Sequence, residues 1–380
     1  MKKLLIISSL VNDIFICNIA KWLKSQTDIQ IDIFHYFDSD EQKCDLSVFD
    51  SITRIDNKGS YFRGSAFKLR HQARKVSKML EGRHYDIIQC HGALSITVQI
   101  PHLEKYCDKL CLTFWGGEMD TMKVWWSNRI YRMKLRSFLK SVTHVINSPI
   151  YNRFLTGKYP FLEGKVRNAR FGSAPLENLS ELMEKETKDV SKQNLDIDPT
   201  KLTVLIGYSG KEVHRHLAVI NELTGNERLK EKLHLLAPMT RGAHKAYTQN
   251  VENALKSSGY SYTLLKDRFL TDEDIARLRN ATDITLQMSE YDGFSRSIVE
   301  CLCAKSILIF GDWLDYDIRL SEEGFKGIKV ESIKECIETI SQISDNREEY
   351  SKDCEMNHTN GFRNNLWNNC IADWIRIYSE

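Results

Sequence analysis

Short apolar runs alternate with amphipathic helical patterns along almost the whole chain, and this alternation limits the possible folds more than any other feature. The run KKLLIISSL precedes the helical pattern DIFICNIAKWLKS, and YDIIQC and KLCLTFW are further strand candidates, with helices predicted over 64–82, 93–106 and 121–141. Strict alternation is typical of parallel strands whose connecting helices cover both faces of a sheet. We therefore predict an α/β chain with doubly wound sheets.

The chain is too long for one ordinary hydrophobic core, because domains typically hold about 100–200 residues and the sequence has 380. Residues 176–200 are polar, lack aromatic side chains and are interpreted as a connection, after which the alternation restarts at LTVLIGYSG. We predict a first Rossmann-like domain over 1–175 and a second over 176–361, facing a central cleft. Ligands of open parallel sheets bind at the carboxyl ends of the strands.

Composition indicates a globular chain rather than a disordered one, since 42% of its residues are hydrophobic. The ten cysteines lack zinc-site spacing and predict buried thiols in the cytosol. The N-terminal apolar run is interrupted by Asn12 and Asp13, which disfavours a signal peptide, and no run is long enough to span a bilayer. We predict a cytoplasmic location.

Two carboxylates flank a glycine turn and helix in SEYDGFSRSIVECLCAKSILIFGD. Asp292 lies in the turn after the strand DITLQMS, and Glu300 lies about two helical turns beyond it. Carboxylates roughly 10 Å apart along a helix cannot share a proton, but they can bind two ends of an elongated, hydroxyl-bearing ligand. The alternative is that Asp292 caps the helix and Glu300 is solvated, although the residues around Glu300 are apolar.

This segment resembles the donor domain of GT-B fold glycosyltransferases, above all the family 4 nucleotide-sugar transferases. Their signature is E-G-F-G with a second Glu eight residues after the first, and here Asp292 and Ser295 replace the first Glu and the second Gly. The resemblance implies that Glu300 binds ribose hydroxyls and Asp292 holds the donor sugar. It also implies that Gly293, Phe294 and Ser295 present backbone amides to the sugar and phosphates. It further implies a C-terminal helix, residues 362–380, that returns to the first domain.

The segment GYSGKEVHRH follows the first strand of the second domain. It resembles the G-N-S-G-D…N-H stretch of the inverting transferases that add an amino-deoxyfucose (Fuc4NAc) to a lipid-linked oligosaccharide. Glycine permits close backbone approach, and basic side chains would meet the charge of a diphosphate leaving group. The predicted donor-binding residues here are Ser209, Gly210, Lys211, Arg215 and His216. The alternative is a turn followed by a solvated basic helix start.

No metal or cofactor is expected, since the nucleotide-sugar would be a substrate. His214 and His216 could form half of a metal site, but no third ligand lies nearby in sequence. GT-B enzymes generally need no metal.

Candidates for the chemistry lie in the first half of the chain. LTFWGGEMD resembles the family 4 H-G-x-D pattern, with Trp115 in place of the His and Glu118 in place of the Asp. Glu118 or Asp120 is the candidate general base of an inverting reaction. His91, after YDIIQC, is another candidate, and the sequence does not decide between Glu118 and His91. Asp292 is a further catalytic candidate. A retaining reaction is favoured, in which the leaving phosphate takes the acceptor's proton; an inverting reaction stays open, as does a core role for His91.

Basic residues are concentrated in the first half of the chain. Between Met122 and Ser141 there are six Lys or Arg and no acid, with Arg129, Arg132 and Arg136 on one helical face. Flanking aromatic residues favour an anionic membrane or lipid-linked acceptor as the partner of this face. A solvated face without a partner is the alternative, and nucleic acid is disfavoured because no binding motif accompanies the charge.

These features together predict a glycosyltransferase that moves a sugar from a nucleotide-diphosphate donor to a cell-surface polysaccharide or lipid-linked saccharide, such as a lipopolysaccharide or capsule precursor. Its location would be the cytoplasm, at the inner face of the plasma membrane when it meets such an acceptor. The alternatives are a non-catalytic nucleotide-sugar-binding partner of another transferase and a nucleotide-sugar epimerase of the same fold.

Overall fold

The computed structural model describes residues 1–10, 14–37, 45–55, 66–92, 96–114, 129–240, 242, 244–267 and 270–380. The chain divides into two compact units. The first contains Met1–Phe171 and Trp367–Glu380, and the second contains Gly172–Leu366. The domain bounds predicted from the sequence stay a prediction.

Each unit is built on one fully parallel sheet. The order in the first sheet is β3-β2-β1-β4-β5-β6-β7, and in the second it is β10-β9-β8-β11-β12-β13. The strands are β1 (Lys2–Leu10), β2 (Ile29–Phe37), β3 (Ser51–Arg54), β4 (Tyr85–His91), β5 (Cys107–Thr113), β6 (His144–Asn147), β7 (Val166–Asn168), β8 (Leu202–Ile206), β9 (Leu233–Pro238), β10 (Ser261–Leu265), β11 (Ile284–Gln287), β12 (Ile307–Gly311) and β13 (Ile328–Val330).

Helices connect these strands. They are α1 (Ile14–Gln26), α2 (Ala66–Leu80), α3 (Arg129–Ser141), α4 (Pro149–Lys158), α5 (Ala174–Lys185), α6 (Lys188–Gln193), α7 (His216–Leu223), α8 (Glu227–Lys232), α9 (Lys245–Ser258), α10 (Asp272–Asn280), α11 (Arg296–Cys303), α12 (Asp317–Glu323), α13 (Ile333–Asp345), α14 (Ser351–Asn365) and α15 (Trp367–Ser379).

Burial of both sheet faces explains the continuous apolar runs in the sequence. Leu4, Leu5, Ile6 and Ile7 of β1 are all at most 1% exposed, although successive residues point to opposite faces. The core clusters on the two sides of this sheet accordingly share its strands. The predicted α/β class with doubly wound sheets is confirmed.

Two predictions about local structure are wrong. The predicted helix over 93–106 contains, in its described part, only single 3₁₀ turns at Thr97–Gln99 and Leu103–Tyr106. Pro101 accounts for this, because proline disfavours helical geometry in the residue before it and cannot donate a backbone hydrogen bond. The connection predicted over 176–200 instead contains most of α5 and all of α6, and Leu176, Leu179 and Leu182 bury one face of α5.

The last helix belongs to the first unit. Cys370, Trp374 and Ile377 of α15 are at most 3% exposed and lie in the core cluster that also contains β1 and α1. Among the described cysteines, eight are free thiols, seven of them buried. Cys17 is disulfide-bonded, so the expectation of thiols throughout is wrong at this residue.

No helix among the described residues is both long and apolar enough to cross a membrane.

Candidate functional site

The strand order of the second sheet reverses between β8 and β11. From β8 the chain adds β9 and β10 on one side, and β11, β12 and β13 lie on the other. The connections that leave two such neighbouring strands in opposite directions open a crevice at their carboxyl ends, where doubly wound sheets bind ligands. The predicted donor-binding segments 209–216 and 292–295 follow these two strands.

The turn after β8 requires glycine at its first position. Gly207 has φ +65°, and a Cβ atom there would lie 2.8 Å from Cβ of His214 and 3.0 Å from Nε2 of His216. Side chains other than glycine are disfavoured in this backbone region. Gly207 therefore lets the chain turn tightly enough to bring Ser209 against His214, and Ser209 and Gly210 are both buried.

His214 joins the turns that follow β8 and β11. Its Nε2 lies 2.9 Å from Oγ of Ser209, and its Nδ1 lies 2.7 Å from Oγ of Ser289. Burial lowers the pKa of His214 to about 4, so the ring is neutral near pH 7. A neutral imidazole between two hydroxyl groups fixes the relative position of the two turns.

His216 is also buried and neutral. It is fully buried, its Nδ1 lies 3.2 Å from the Tyr247 hydroxyl, and burial lowers its pKa to about 3. Its Nε2 has no hydrogen-bond partner among the described residues. The positive charge at this turn therefore comes from Lys211 and Arg215, and not from the two histidines.

Arg215 is held by an aromatic residue that the sequence analysis did not single out. Its backbone has φ +57°, and its guanidinium carbon lies 5.5 Å from the centroid of the Trp313 ring, a cation–π contact. Trp313 follows β12 and donates from Nε1 to the Ser289 carbonyl over 2.7 Å. Its ring covers Gly311, where a Cβ atom would lie 2.3 Å from it. The signal available in the sequence was a Trp two residues after a predicted strand.

Lys211 is exposed and borders the loop after β9. A Cβ atom at Gly242, which has φ +71°, would lie 2.9 Å from Cγ of Lys211. The aliphatic part of the side chain therefore packs on the Gly242 backbone. This packing leaves the ammonium group as the part of Lys211 that can reach an anion.

Asp292 accepts four hydrogen bonds. Its Oδ1 accepts from the Tyr208 hydroxyl over 2.5 Å, and its Oδ2 accepts from the Tyr316 hydroxyl. The backbone amides of Phe294 and Ser295 donate to the same Oδ2 over 2.8 and 3.0 Å. The amides of Phe294 and Ser295, which were predicted to face the donor, thus bind Asp292. Gly293, which lies between Asp292 and Phe294 in the sequence, is exposed. The two tyrosines lie far from Asp292 in sequence, and no spacing pattern identified them.

Glu300 lies in a separate, buried environment. It is 5% exposed, its Oε2 lies 3.2 Å from Nε of Arg279, and its Oε1 accepts from the Ser173 hydroxyl over 3.4 Å. Burial raises the pKa of Glu300, and the Arg279 guanidinium acts in the opposite direction. Among the described residues, Asp292 and Glu300 share no hydrogen-bond partner. Ribose binding by Glu300 stays a prediction.

The remaining predicted residues belong to the first unit. His91 ends β4, is 1% exposed and lies 6.0 Å from the Phe171 ring and 6.3 Å from the Trp374 ring, centroid to centroid. Burial lowers the pKa of His91 to about 3, so its ring is neutral near pH 7. Glu118, Asp120 and Trp115 lie outside the described residues, as does the side chain of Arg129.

Helix α3 carries the described part of the predicted basic face. Arg132 and Arg136 are exposed, and the guanidinium carbon of Arg136 lies 6.0 Å from the Phe161 ring centroid. Burial, and then repulsion by Arg132, lowers the pKa of Lys158 at the end of α4. Because Arg132 repels Lys158, the positive charge of α3 extends to α4.

In the part of the chain that the structure describes, no group of three or more His, Cys, Asp or Glu could hold a metal ion. The functional features in the second unit are instead two cations, the hydrogen-bonded carboxylate of Asp292 and several hydroxyl groups at the ends of adjacent strands. Such a set suits a ligand that combines anionic groups with hydroxyl groups.

No family model matches the chain, and no curated protein matches it in sequence. Solved structures do match over its full length. A glycosyltransferase from Rickettsia africae ESF-5 has a TM-score of 0.70 at 16% identity, covering 100% of this chain and 98% of that one. WaaG, a glycosyltransferase involved in lipopolysaccharide biosynthesis, has a TM-score of 0.68 at 12% identity, with 99% of each chain covered.

A third similar structure is the UDP-GlcNAc 2-epimerase from Neisseria meningitidis bound to UDP-GlcNAc. Its TM-score is 0.68 at 12% identity, and 100% of each chain is covered. Likeness at such low identity concerns the fold and not the activity. The parallel sheets of seven and six strands, their flanking helices and these full-length matches confirm the prediction: the chain has the GT-B fold.

Proposed function

We propose that this protein is a glycosyltransferase that moves a sugar from a nucleotide-diphosphate donor to a saccharide acceptor. The observation that carries the proposal is the meeting, at the switch point between β8 and β11, of the turn with Lys211 and Arg215 and the turn with Asp292. Lys211 and Arg215 suit a diphosphate, and Asp292 suits sugar hydroxyls. Similarity to two glycosyltransferases of the same fold supports it.

The course of the proposed sugar transfer follows from the positive charges of the site. The bond between the anomeric carbon of the sugar and the diphosphate oxygen breaks, and the acceptor hydroxyl oxygen bonds to that carbon. Lys211 and Arg215 stabilise the negative charge that grows on the leaving diphosphate. The acceptor's proton passes to the leaving phosphate in the retaining reaction that we favour. In an inverting reaction it passes to a base, for which Glu118, Asp120 and His91 are the candidates.

The donor contacts form the finer part of the proposal. Ser209, Gly210 and His216 would line the phosphate side of the site, and Glu300 would bind ribose hydroxyls. The Glu300 carboxylate, which accepts from Arg279 and Ser173, would accept from the ribose hydroxyls at its remaining acceptor sites. Gly293, Phe294 and Ser295 would border the donor sugar.

The acceptor is proposed to be a lipid-linked or cell-surface saccharide that the protein meets at an anionic membrane. No acid occurs between Asp120 and Glu163, and the exposed side chains there include Met133 at 66% and Phe154 at 50%. Exposed apolar side chains among cations are typical of a surface that enters a lipid interface. The involvement of the similar protein WaaG in lipopolysaccharide biosynthesis agrees with this kind of acceptor.

A nucleotide-sugar epimerase is the second candidate, favoured by the similarity to the Neisseria meningitidis enzyme. An epimerase returns a sugar of unchanged mass, whereas a transferase lengthens an acceptor and releases nucleotide diphosphate. Purified protein should therefore be incubated with UDP-, GDP- and dTDP-sugars, with and without a lipid-linked acceptor. We expect acceptor-dependent release of nucleotide diphosphate and an acceptor one sugar heavier. The proposal fails if none of UDP, GDP and dTDP binds by calorimetry, or if the only product is an epimer.

A further inference from the structure

An aromatic ring, and no acid, directs the side chain of Arg215. The guanidinium carbon lies 5.5 Å from the centroid of the Trp313 ring, and Arg215 is half-buried. Within the described ranges its side chain forms no hydrogen bond and no ion pair, although Glu212 lies three residues before it and Glu290 lies in the turn after β11. The ring is therefore the contact that sets the position of this cation.

Two arginines of α10 show what an acid would change. Arg277 donates to Glu186 over 3.0 Å, and Arg279 donates to Glu300 over 3.2 Å. A carboxylate takes up N–H donors and neutralises the charge, whereas an aromatic ring attracts a guanidinium through its quadrupole and offers no lone pair. Arg215 therefore keeps both its charge and its N–H donors for an anionic ligand.

The Trp313 ring is itself fixed by two neighbouring turns. Its Nε1 donates to the Ser289 carbonyl, after β11, over 2.7 Å. A Cβ atom at Gly311 would lie 2.3 Å from the ring, so the ring lies directly against the Gly311 backbone. The Leu314 amide donates to the Gly311 carbonyl over 3.0 Å and closes the turn that carries Trp313. The ring is thus in place before a ligand arrives.

The backbone of Arg215 is also fixed, which leaves only the direction of its side chain to be set. Its φ of +57° and ψ of 34° place it in the left-handed region between a 3₁₀ turn and α7. Its amide donates to the Glu212 carbonyl over 2.9 Å, and its carbonyl accepts from the Val219 amide over 3.1 Å. Contact with Trp313 then determines where the guanidinium lies.

We propose that Trp313 is a positioning residue for the transfer, which holds the Arg215 guanidinium at the switch point with its N–H donors unused. A leaving diphosphate gains negative charge as its bond to the sugar breaks, and a cation that is already oriented stabilises this charge without reorganisation. Trp313 touches no reacting atom and acts through Arg215. This inference rests on the proposed function, since it concerns one of the two cations assigned to the diphosphate.

Substitution of Trp313 tests the inference through the affinity for the leaving group. Calorimetry should compare UDP, GDP and dTDP with their glucose conjugates, because the free diphosphate carries the charge that the leaving group acquires. We expect Trp313→Leu to bind the preferred nucleoside diphosphate about fivefold more weakly, as for loss of a cation–π contact, and its glucose conjugate about twofold more weakly. Tyr291→Leu removes a 74% exposed aromatic residue after β11 and should change neither affinity.

Two further variants separate the ring from the rest of the side chain. Trp313→Phe also removes the hydrogen bond to Ser289 but keeps an aromatic ring, so it should lose less affinity than Trp313→Leu. In Arg215→Gln protein, Trp313→Leu should cause no further loss, because the cation that it positions is gone. Trp313 is 37% exposed, and we expect each variant to melt as wild type does. If Trp313→Leu does not fold, Trp313→Phe in both backgrounds provides the same test.

The outcomes distinguish failure of this inference from failure of the proposed function. Unchanged affinity of Trp313→Leu for the nucleoside diphosphate overturns the inference and leaves the proposed function intact. An equal loss with and without Arg215, or an equal loss from the Leu and Phe variants, assigns Trp313 to the shape of the turn and also overturns it. If wild type binds none of UDP, GDP and dTDP, the proposed function is wrong, and the inference falls with it.

Discussion

Asp283 should be essential for the stability of the second unit, because it is a buried anion shared by three cations. Its side chain is fully buried, 2.6 Å from Nζ of Lys192, 2.5 Å from Arg347 and 3.9 Å from Nζ of Lys188. It also accepts from the Thr203 amide over 2.8 Å. Asp283 directly precedes β11 and Thr203 belongs to β8, so the cluster ties together the two strands whose other ends carry the site.

The burial of Asp283 and Lys192 sets the size of the effect. Removing one partner of a buried pair typically costs about 3–5 kcal/mol, since a charge is left without compensation in the interior. Lys192 is 1% exposed in its side chain and would be left in this condition by Asp283→Asn. A loss of this size lowers the melting temperature of a unit of about 200 residues by about 6–20 °C. Asp345→Asn is the control: Asp345 also bridges two cations, Arg228 and Lys232, but is 40% exposed, so its loss should destabilise the protein far less.

Scanning calorimetry of the full chain gives the stabilities, and hydrogen exchange of peptides from β8, β11 and β1 locates the effect. We expect faster exchange in β8 and β11 of Asp283→Asn and no change in β1. A second substitution, Lys192→Met, should restore part of the loss, because it removes the uncompensated buried charge. The reasoning is refuted if Asp283→Asn and Asp345→Asn destabilise equally, or if Lys192→Met makes the variant worse.

The same cluster predicts a pH dependence. Burial acts to raise the pKa of Asp283, but Lys188, Lys192 and Arg347 together hold it below its ordinary value. The stabilisation from an acid with a lowered pKa is complete above the pKa of the unfolded chain and is lost as the pH falls through the lower, folded value. The difference in unfolding free energy between wild type and Asp283→Asn should therefore shrink on acidification below about pH 4. If this difference in unfolding free energy stays constant down to pH 2, the conclusion that Asp283 is ionised in the folded protein is wrong.

Three further predictions concern the proposed reaction. Glu300→Gln should weaken nucleotide binding by about 1.5–3 kcal/mol, as for loss of a charged acceptor, and unchanged affinity in calorimetry would exclude the ribose role. Lys211→Ala and Arg215→Ala should lower turnover more than donor affinity, because they act on leaving-group charge; equal turnover of wild type and both variants would place the phosphates elsewhere. Neutralising the basic face should remove about 3 kcal/mol of affinity for anionic vesicles, at about 1 kcal/mol per charge. Activity on a short soluble acceptor should survive, and activity on a lipid-linked acceptor should fall. The membrane role is refuted if the variant sediments with vesicles at low salt as wild type does, or if both activities fall equally. The variant replaces Arg129, Arg132 and Arg136.

Local patterns in the sequence predicted the turn residues but not their partners. The segment GYSGKEVHRH and the DGFS turn were identified because glycine and basic or acidic residues follow apolar strands. Their contact through His214 and Tyr208 depends on β8 and β11 being neighbours, a property of strand order. The charge of the histidines could not be predicted either, because the pKa of His214 is low through burial, and burial is a tertiary property.

The polar segment after residue 175 shows that composition alone does not reveal every helix. Its composition is typical of a connection, yet three leucines spaced three apart are enough to bury one face of α5. Whether so narrow a stripe forms a helix depends on an apolar surface that receives it, here the cluster containing Leu302 and Phe310. That surface is assembled from residues more than 90 positions away in the chain.

The sequence by itself determined the fold class, because strands buried on both faces need unbroken apolar runs and parallel strands need a helix between them, and both requirements are local and periodic. It also determined where the chemistry-bearing turns begin, since those turns follow the runs directly. Only the tertiary structure decided that Asp292 binds two tyrosines, that Glu300 pairs with Arg279, and that Trp313 holds Arg215. Each of these contacts joins residues distant in the chain, and its strength depends on burial and mutual distance, which no stretch of sequence contains.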